Sequence, residues 1–459
     1  MLDRIKGALG RQAGVSDWAV RRRRSRSVQL FLIGRSIESL REVETEEYDL
    51  QVFNDHPFPA GFKDHGGEQP GGDARGVASI TLVPADGARL GDRVEDALTM
   101  ASLVHNPPFS LPEPGAYPDV ELADPKLATA DGSRGAAEAF AVELWELVER
   151  EKDVRLSAAE LFLTITDVEL HNSRGIQIGS SGTRVLSEIV LLARGSGGNE
   201  EAEHFRQLEA RRLSDLKLEQ NVADAARYAR DTLRARAPKT RLGPAVLTGE
   251  ALVTLFEAFS FVASARAAYQ KLTSVEPGQA VLGEREVKGD RLTLRSNALK
   301  PFALGSHRFD GDGVPGQNVL LIEDGVLRQR IAGQRYAQYL NIPVTGEAGT
   351  TEVEAGSTPL PALLDGQGVL HVVKFSSPEV DPVTGDFGSE IRLAYEGKGD
   401  AAVPIKGGSV SGNVFDAFAD ARFSSDTTSL ISAGFSAGGG DYFGPDAIRF
   451  ASLRIAGED

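Results

Sequence analysis

The sequence predicts an α+β protein: a mixed sheet-and-helix N-terminal and middle region, then a mainly β, barrel- or sandwich-like C-terminal domain. Three observations support this. Apolar, β-branched runs alternate with turn residues in the first third. Two strong helical periodicities fill the middle. From about residue 275 the helices largely stop, and short apolar runs recur between Gly, Asp, Pro and Ser clusters.

We divide the chain into an extension (1–27), an N-terminal α+β domain (28–112), a middle α+β region (113–240) and a β-rich C-terminal domain (241–459). The extension holds a short amphipathic helix with Leu2, Ile5 and Leu9 on one side. SVQLFLIG, YDLQVFN and VASITLV read as strands, and DHGGEQPGGDARG as a Gly-rich loop. LGDRVEDALTMASLV places Val94, Ala97, Leu98 and Ala101 at helical spacing. NPPFSLPEPGAYP stops that helix, because proline lacks the donor and disfavours helix before it. GAAEAFAVELWELVEREKD and LEQNVADAARYARDTLRARA are the two middle helices, with the strands AELFLTITDVEL and RVLSEIVLLAR between them. HNSRG joins those strands by turn chemistry. GPAVLT is a brief strand, and GEALVTLFEAFSFVASARAAYQKL is a helix apolar on most sides. The C-terminal strands are AVLG, LTLRS, NVLLIEDGVLRQRI, GVLHVVKF, EIRLAYEG and DAIRFASLRIAG, with QRYAQYLN as a helical interruption.

Composition narrows the function. Hydrophobic residues make up 41% and charged residues 25%, an ordinary globular balance. Fifty basic against 66 acidic residues give a formal charge of −16, which argues against broad nucleic-acid binding. The local exception, RRRRSR at 21–26, reads either as a nucleic-acid or anionic-surface patch or, as isolated charge runs usually do, as a solvated linker. The absence of cysteine removes disulfides, thiolate metal ligands and a thiol nucleophile. It fits a reducing compartment. No run approaches a membrane span, and MLDRIKGALG has no apolar leader core, so we expect a cytoplasmic protein.

Spacing alone yields no active site. GSHRFDGDGVPG (305–316) begins like an EF-hand at Asp310 and Asp312. The fifth, sixth and twelfth positions are Val314, Pro315 and Leu321, which breaks that pattern. His307 with Asp310 is a candidate imidazole–carboxylate pair, against the plainer reading of a Gly-rich turn in which Arg308 pairs with an aspartate. None of the seven histidines lies four or five residues from another, so there is no one-helix zinc motif. SAGGG (436–440) lacks the lysine and hydroxyl of a phosphate loop.

The chain nevertheless resembles the TldD/PmbA family, also called modulators of DNA gyrase. The resemblance rests on HRFDGDGVPGQNVLLIEDGVL, VTGDFGSEIRLAYEG, GGSVSGNVFDAF, FGPDAIRFASLRIAG and the upstream HNSRG, in that family's order. The TldD-like branch carries His-Glu-x-x-x-His on a helix and a downstream cysteine, a set that binds zinc and makes a metallopeptidase. The TldE-like (PmbA-like) branch lacks these ligands and pairs with the first. In GEALVTLFEAF, Gly249 and Thr254 fall at the two histidine positions, and Glu250 at the glutamate. LISAGFSAGGG, where the cysteine would fall, offers serines and glycines. The resemblance therefore implies a TldE-like non-catalytic subunit with no cofactor of its own and no catalytic residue. Its zinc-bearing TldD-like partner would act on unfolded or small peptides in an enclosed chamber, with no nucleic acid or membrane involved. His307, Arg308, Asp310 and Asp312 in one loop, and Thr384, Asp386 and Asn413 in two others, are the expected chamber-lining residues. The alternatives are a partner-free binding or regulatory protein, and a zinc-independent hydrolase using His307 with Asp310 or Asp386.

Overall fold

A computed structural model describes residues 1–63, 71–195, 197, 200–431 and 441–458. Six antiparallel strands form the first sheet: β1 (Asp17–Ile33), β2 (Ser36–His56), β3 (Ala74–Leu82), β4 (Val154–Asn172), β5 (Gln177–Arg194) and β6 (Glu201–Ala210), in spatial order β3-β2-β1-β4-β5-β6. β1 is central and pairs with β2 and β4 along most of its length. Strands before and after the Pro-rich connector thus share one sheet, and no sheet boundary falls there.

This corrects the reading of residues 1–27 as an extension and of the arginine run as a linker. Arg21–Arg24 lie inside β1, and each meets an acid on a flanking strand. Arg21 lies 2.9 Å from Asp49, Arg22 2.8 Å from Glu46 and 3.1 Å from Glu169, and Arg23 3.7 Å from Glu47. Arg24 pairs with Glu44. Opposite charges placed across strands stabilise pairing. The run therefore extends because its neighbours are acidic, which its own composition does not reveal.

Helices α1 (Leu2–Leu9), α2 (Leu90–Ser102), α3 (Ala130–Glu149) and α4 (Leu218–Thr232) all cover one face of this sheet. Ile5, Leu9, Val94 and Ala97 pack on Val20, Leu50 and Val52. Phe140, Leu144, Val222 and Ala226 pack on Leu30, Leu161, Leu163 and Ile189. Because side chains alternate across a strand, Arg21 and Arg23 emerge on the opposite face, toward the C-terminal domain.

That domain contains two further sheets. The first runs β10 (Val326–Leu327), β9 (Asn318–Glu323), β8 (Leu294–Asn297), β11 (Thr350–Val353), β19 (Asp441–Pro445), β18 (Thr427–Ile431). The second places β12 (Leu370–Phe375), β7 (Arg241–Thr248), β20 (Ala447–Ala456), β16 (Ser409–Asn413) and β14 (Asp386–Glu396) in sequence, and β12 pairs back onto β14. These five strands form a closed barrel, the arrangement expected of the C-terminal half. β13 (Glu379–Val380) and β15 (Val403–Ile405) flank β14, and β17 (Ala421–Phe423) flanks β20.

Helix α5 (Ala251–Val262) is wrapped by both sheets. Leu252, Phe256 and Phe259 share one core with Leu294 of β8 and Leu321 of β9 and with Leu247, Val372, Ile391 and Phe450 of the barrel. Phe256 stacks on Tyr442 at 5.4 Å and meets Phe418 edge-on at 5.6 Å. Ser264 then breaks the expected long helix. Its hydroxyl accepts from the Ala267 N–H at 3.3 Å and starts α6 (Ala265–Tyr269). QRYAQYLN forms α7 (Gln334–Leu340). AVLG turns instead of forming a strand, with one isolated bridge from Ala280 to Val326. No helix among the described residues is long and apolar enough to cross a membrane.

Candidate functional site

Gly249 and Glu250 precede α5; they do not lie on it. Gly249 leaves β7 with φ +75°, a conformation glycine adopts freely and a β-carbon resists. A histidine side chain at this position would have to bear that strain. Thr254 is 7% exposed within α5 and belongs to the packed interior. The one ionisable group of the three, Glu250, has a partner. Its Oε1 accepts from Lys374 Nζ at 2.8 Å, with the two side chains 18% and 16% exposed. Lys374 comes from β12, which runs parallel to β7. Sequence reasoning missed Lys374, because only the β7–β12 pairing brings it beside Glu250.

The ion pair opens on a cleft of about 530 Å³. One wall is Arg206–Ala210 of β6, the edge of the first sheet, and another is Thr428–Ile431 of β18, the edge of the sheet that runs from β10 to β18. The cleft offers carboxylates and ammonium groups but no imidazole. Among the described residues, no group of three or more His, Asp or Glu is placed to share a metal ion. Residues 432–440, which include SAGGG and all but Leu430 and Ile431 of the expected cysteine region, lie outside the described residues, as does the part of the Gly-rich loop at 64–70.

The structure keeps His307, Arg308, Asp310 and Asp312 in one loop but gives most of them bracing roles. Asp310 Oδ1 accepts the N–H groups of Asp312, Gly313 and Val314 at 3.0, 2.9 and 2.8 Å, and Oδ2 accepts that of Glu347 at 3.0 Å. Arg308 does not take up the expected aspartate partner: it donates through Nε to Pro118 O and through Nη1 to Gly179 O, both at 3.0 Å, tying the loop to the connector and to β5. His307 Nδ1 lies 3.0 Å from the carbonyl of Gly305. With Asp310 fully engaged by backbone donors, the imidazole–carboxylate pair is not formed. Phe309 packs on Leu170 and Ile176 at the β4–β5 end. At Gly313, φ is +97° and a β-carbon would sit 2.9 Å from those same two side chains. Glycine is required there by both strain and space.

Electrostatics reflect this packing. Burial pushes Asp310 above the usual carboxylate value, opposed by the N–H bonds it accepts. Burial, with Asp310 and Glu347 adding like charge, pushes Asp312 up to about 7. Arg211, on the chain just after β6, donates to the carbonyls of Ala303, Leu304 and Ser306 at 2.8, 3.0 and 2.8 Å, and to Leu122 and Thr183 at 3.3 and 3.4 Å. Burial lowers its guanidinium to about 10. It joins the first sheet to the C-terminal domain, a role its sequence context does not signal.

Thr384, Asp386 and Asn413 come together elsewhere. Asn413 Nδ2 donates to Thr384 O at 2.8 Å and to Asp386 Oδ1 at 2.9 Å, while Asn413 Oδ1 accepts from Phe415 N–H at 3.1 Å. Thr384 Oγ1 donates to Asp386 Oδ2 at 3.2 Å. This set pins the β14 and β16 ends together and borders neither the cleft nor the loop. HNSRG is a turn as read: buried Asn172 accepts from the N–H groups of Arg174 and Ile176 at 3.0 Å.

Comparison with known proteins places this architecture. Residues 240–457 match the family described as the PmbA/TldA metallopeptidase C-terminal domain. The chain is 25% identical over 250 residues to metalloprotease PmbA of Escherichia coli O157:H7, covering 53% of this chain and 54% of that protein. It is 28% identical over 194 residues to an uncharacterized protein of Methanocaldococcus jannaschii, covering 39% of this chain and 45% of that one. The chain thus aligns with about half the length of these curated relatives. In fold it is similar throughout to TldE of Thermococcus kodakarensis, with a TM-score of 0.78, 18% identity and 100% of both chains covered. Residues 240–457 thus match the PmbA/TldA metallopeptidase family in sequence, and the whole chain shares its fold with TldE.

Proposed function

We propose that the chain is the non-catalytic, TldE/PmbA-like subunit of a two-subunit zinc metallopeptidase acting on unfolded or small peptides in the cytoplasm. One observation carries the reading: the glutamate at the motif position is engaged by an ammonium group. A general base must be free to take a proton from metal-bound water. Glu250 is held by Lys374 at 2.8 Å, and its neighbours Gly249 and Thr254 have no metal-binding side chain to set beside it. The partner, TldD-like, would supply zinc and hydrolysis. This chain would complete the chamber and restrict entry. The cleft between the β6 and β18 edges suits an extended peptide, because an edge strand presents unpaired N–H and C=O groups for strand addition. Of the expected chamber loops, 305–316 borders a cavity and so fits this role; Thr384, Asp386 and Asn413 fit a structural one.

The test is metal analysis and peptide hydrolysis on the pure chain, then on material purified from native extract. The proposal expects neither stoichiometric zinc nor turnover from the chain alone, and both from a complex with a His-Glu-x-x-x-His subunit. A lone homodimer would instead support the partner-free reading. Chelator-sensitive hydrolysis by the pure chain would reject the proposal outright.

A further inference from the structure

Beside the cleft, and sharing Gln207, Glu209, Leu304 and Ile431 with it, lies a second cavity of about 650 Å³ between the open face of the first sheet and loop 305–316. Its wall carries Arg21, Arg23, Arg184, Arg211 and Arg308 together with His307. The pattern of used and unused hydrogen-bond capacity is uneven. Arg308 is anchored by two backbone carbonyls through Nε and Nη1, and its Nη2 has no protein partner among the described residues. Arg184 meets Glu209 through Nε, which leaves both terminal nitrogens. Arg23 has Glu47 at 3.7 Å, beyond hydrogen-bond reach. Arg211 spends its donors on five carbonyls and adds charge alone. The acids on the same wall are largely occupied. Asp310 accepts four backbone N–H groups, Glu209 is taken by Arg184, and Glu347 accepts from Gly311 N–H at 3.3 Å. The cavity therefore holds guanidinium groups with free donors, those of Arg184 and Arg308 anchored, and few free acceptors. That is a pre-organised receptor for carboxylates.

Register sets the size of the ligand. Arg23 is opposite Val168, and Val168 is opposite Ser180, so Arg184 lies two strands and four residues from Arg23 on one face. At ~4.8 Å per strand and ~3.3 Å per residue their Cα atoms are about 16 Å apart. One carboxylate does not span that distance; an extended peptide with several does. We infer that this cavity binds acidic segments of extended peptides, with Arg23, Arg184 and Arg308 as the carboxylate-recognising residues. The inference rests on the peptide-handling reading for the nature of the ligand.

The experiment is fluorescence anisotropy on the full-length chain at physiological salt, where the −16 net charge is screened beyond ~8 Å. The probes are a fluorescein-labelled alternating Glu–Ala peptide and its Gln–Ala counterpart. The acidic peptide is expected to bind the wild type at least tenfold tighter. Arg23→Gln and Arg184→Gln should each weaken it about tenfold, the factor that ~1.4 kcal/mol of charge-assisted hydrogen bonding represents, and leave the Gln–Ala peptide unchanged. Arg155→Gln removes the same charge about 35 Å along β4 from Thr166 and should have no effect. Equal binding of the two peptides, or equal losses in all three variants, overturns the inference. So does inorganic phosphate that competes as well as the peptide at equal concentration. Co-purification of a zinc subunit is scored separately, so either reading can fail without the other.

Discussion

Replacing Lys374 by methionine removes the ammonium group from Glu250 and keeps most of the side-chain volume. At 2.8 Å and an effective dielectric of ~20, the Coulomb attraction is about 6 kcal/mol. Desolvation of the two ions offsets most of that. Both side chains are under one-fifth exposed, so water only partly replaces the lost partner. We expect a loss of about 2–3 kcal/mol, somewhat below the cost of breaking a fully buried pair. Glu250→Gln alone strands the ammonium group and should cost a similar amount. The double variant should recover about 1–2 kcal/mol relative to the sum of the singles, because neither charge is then left alone. Thermal and urea unfolding of the four proteins, followed by a probe in the C-terminal domain, measures this coupling. Additive single effects would refute the reasoning: Glu250 would then be uncoupled from Lys374, and the argument that the motif glutamate is engaged would fall.

Three further outcomes follow from the same contacts. Asp312 has a folded-state value of about 7 against 3.8 unfolded, so the folded chain holds a proton that the unfolded chain has lost between those values. Wild-type stability contributed by this group is therefore full below about pH 4, falls as pH rises to about 7 and levels off above; Asp312→Asn should raise the melting temperature most at pH 8 and least at pH 4. Gly249→His, at φ +75°, should cost about 1–2 kcal/mol in an unfolding assay and, even combined with Thr254→His, should confer no tight zinc binding by competition with a chromogenic chelator. Arg211→Met leaves up to five carbonyls without their donor and should cost about 3 kcal/mol, with limited proteolysis near 303–306 increasing before global unfolding.

What the sequence disclosed follows from which forces are local. Helical periodicity located α2, α3 and α4 to within a few residues, because one buried stripe such as Val222, Ala225, Ala226 and Ala229 is visible in a single window. Four of the five barrel strands were legible as short apolar runs; β16, with the sequence SVSGN, has too few apolar residues to show as one. β6 was not, because EAEHFRQLEA is a polar edge strand with little core to bury. The arginine half of β1 was misread for a related reason: its partners, Asp49, Glu46, Glu47, Glu44 and Glu169, lie on other strands. At the site, family resemblance located Glu250 and the loop at 305–316. The features that give them meaning are non-local. Lys374 reaches Glu250 only through the β7–β12 pairing, and Arg211 is defined by carbonyls about 90 residues away. The helix start at Ala251, and hence the strain at Gly249, appears only as a backbone angle.

The central claim is that this chain lends structure to a metallopeptidase whose metal resides in another subunit. The most direct measurement is zinc stoichiometry and peptide turnover of the natively purified assembly, compared with the same chain expressed alone. The account predicts one zinc per pair of unlike subunits, chelator-sensitive turnover in the assembly, and neither in the isolated chain. Stoichiometric zinc and turnover in the isolated chain would contradict it.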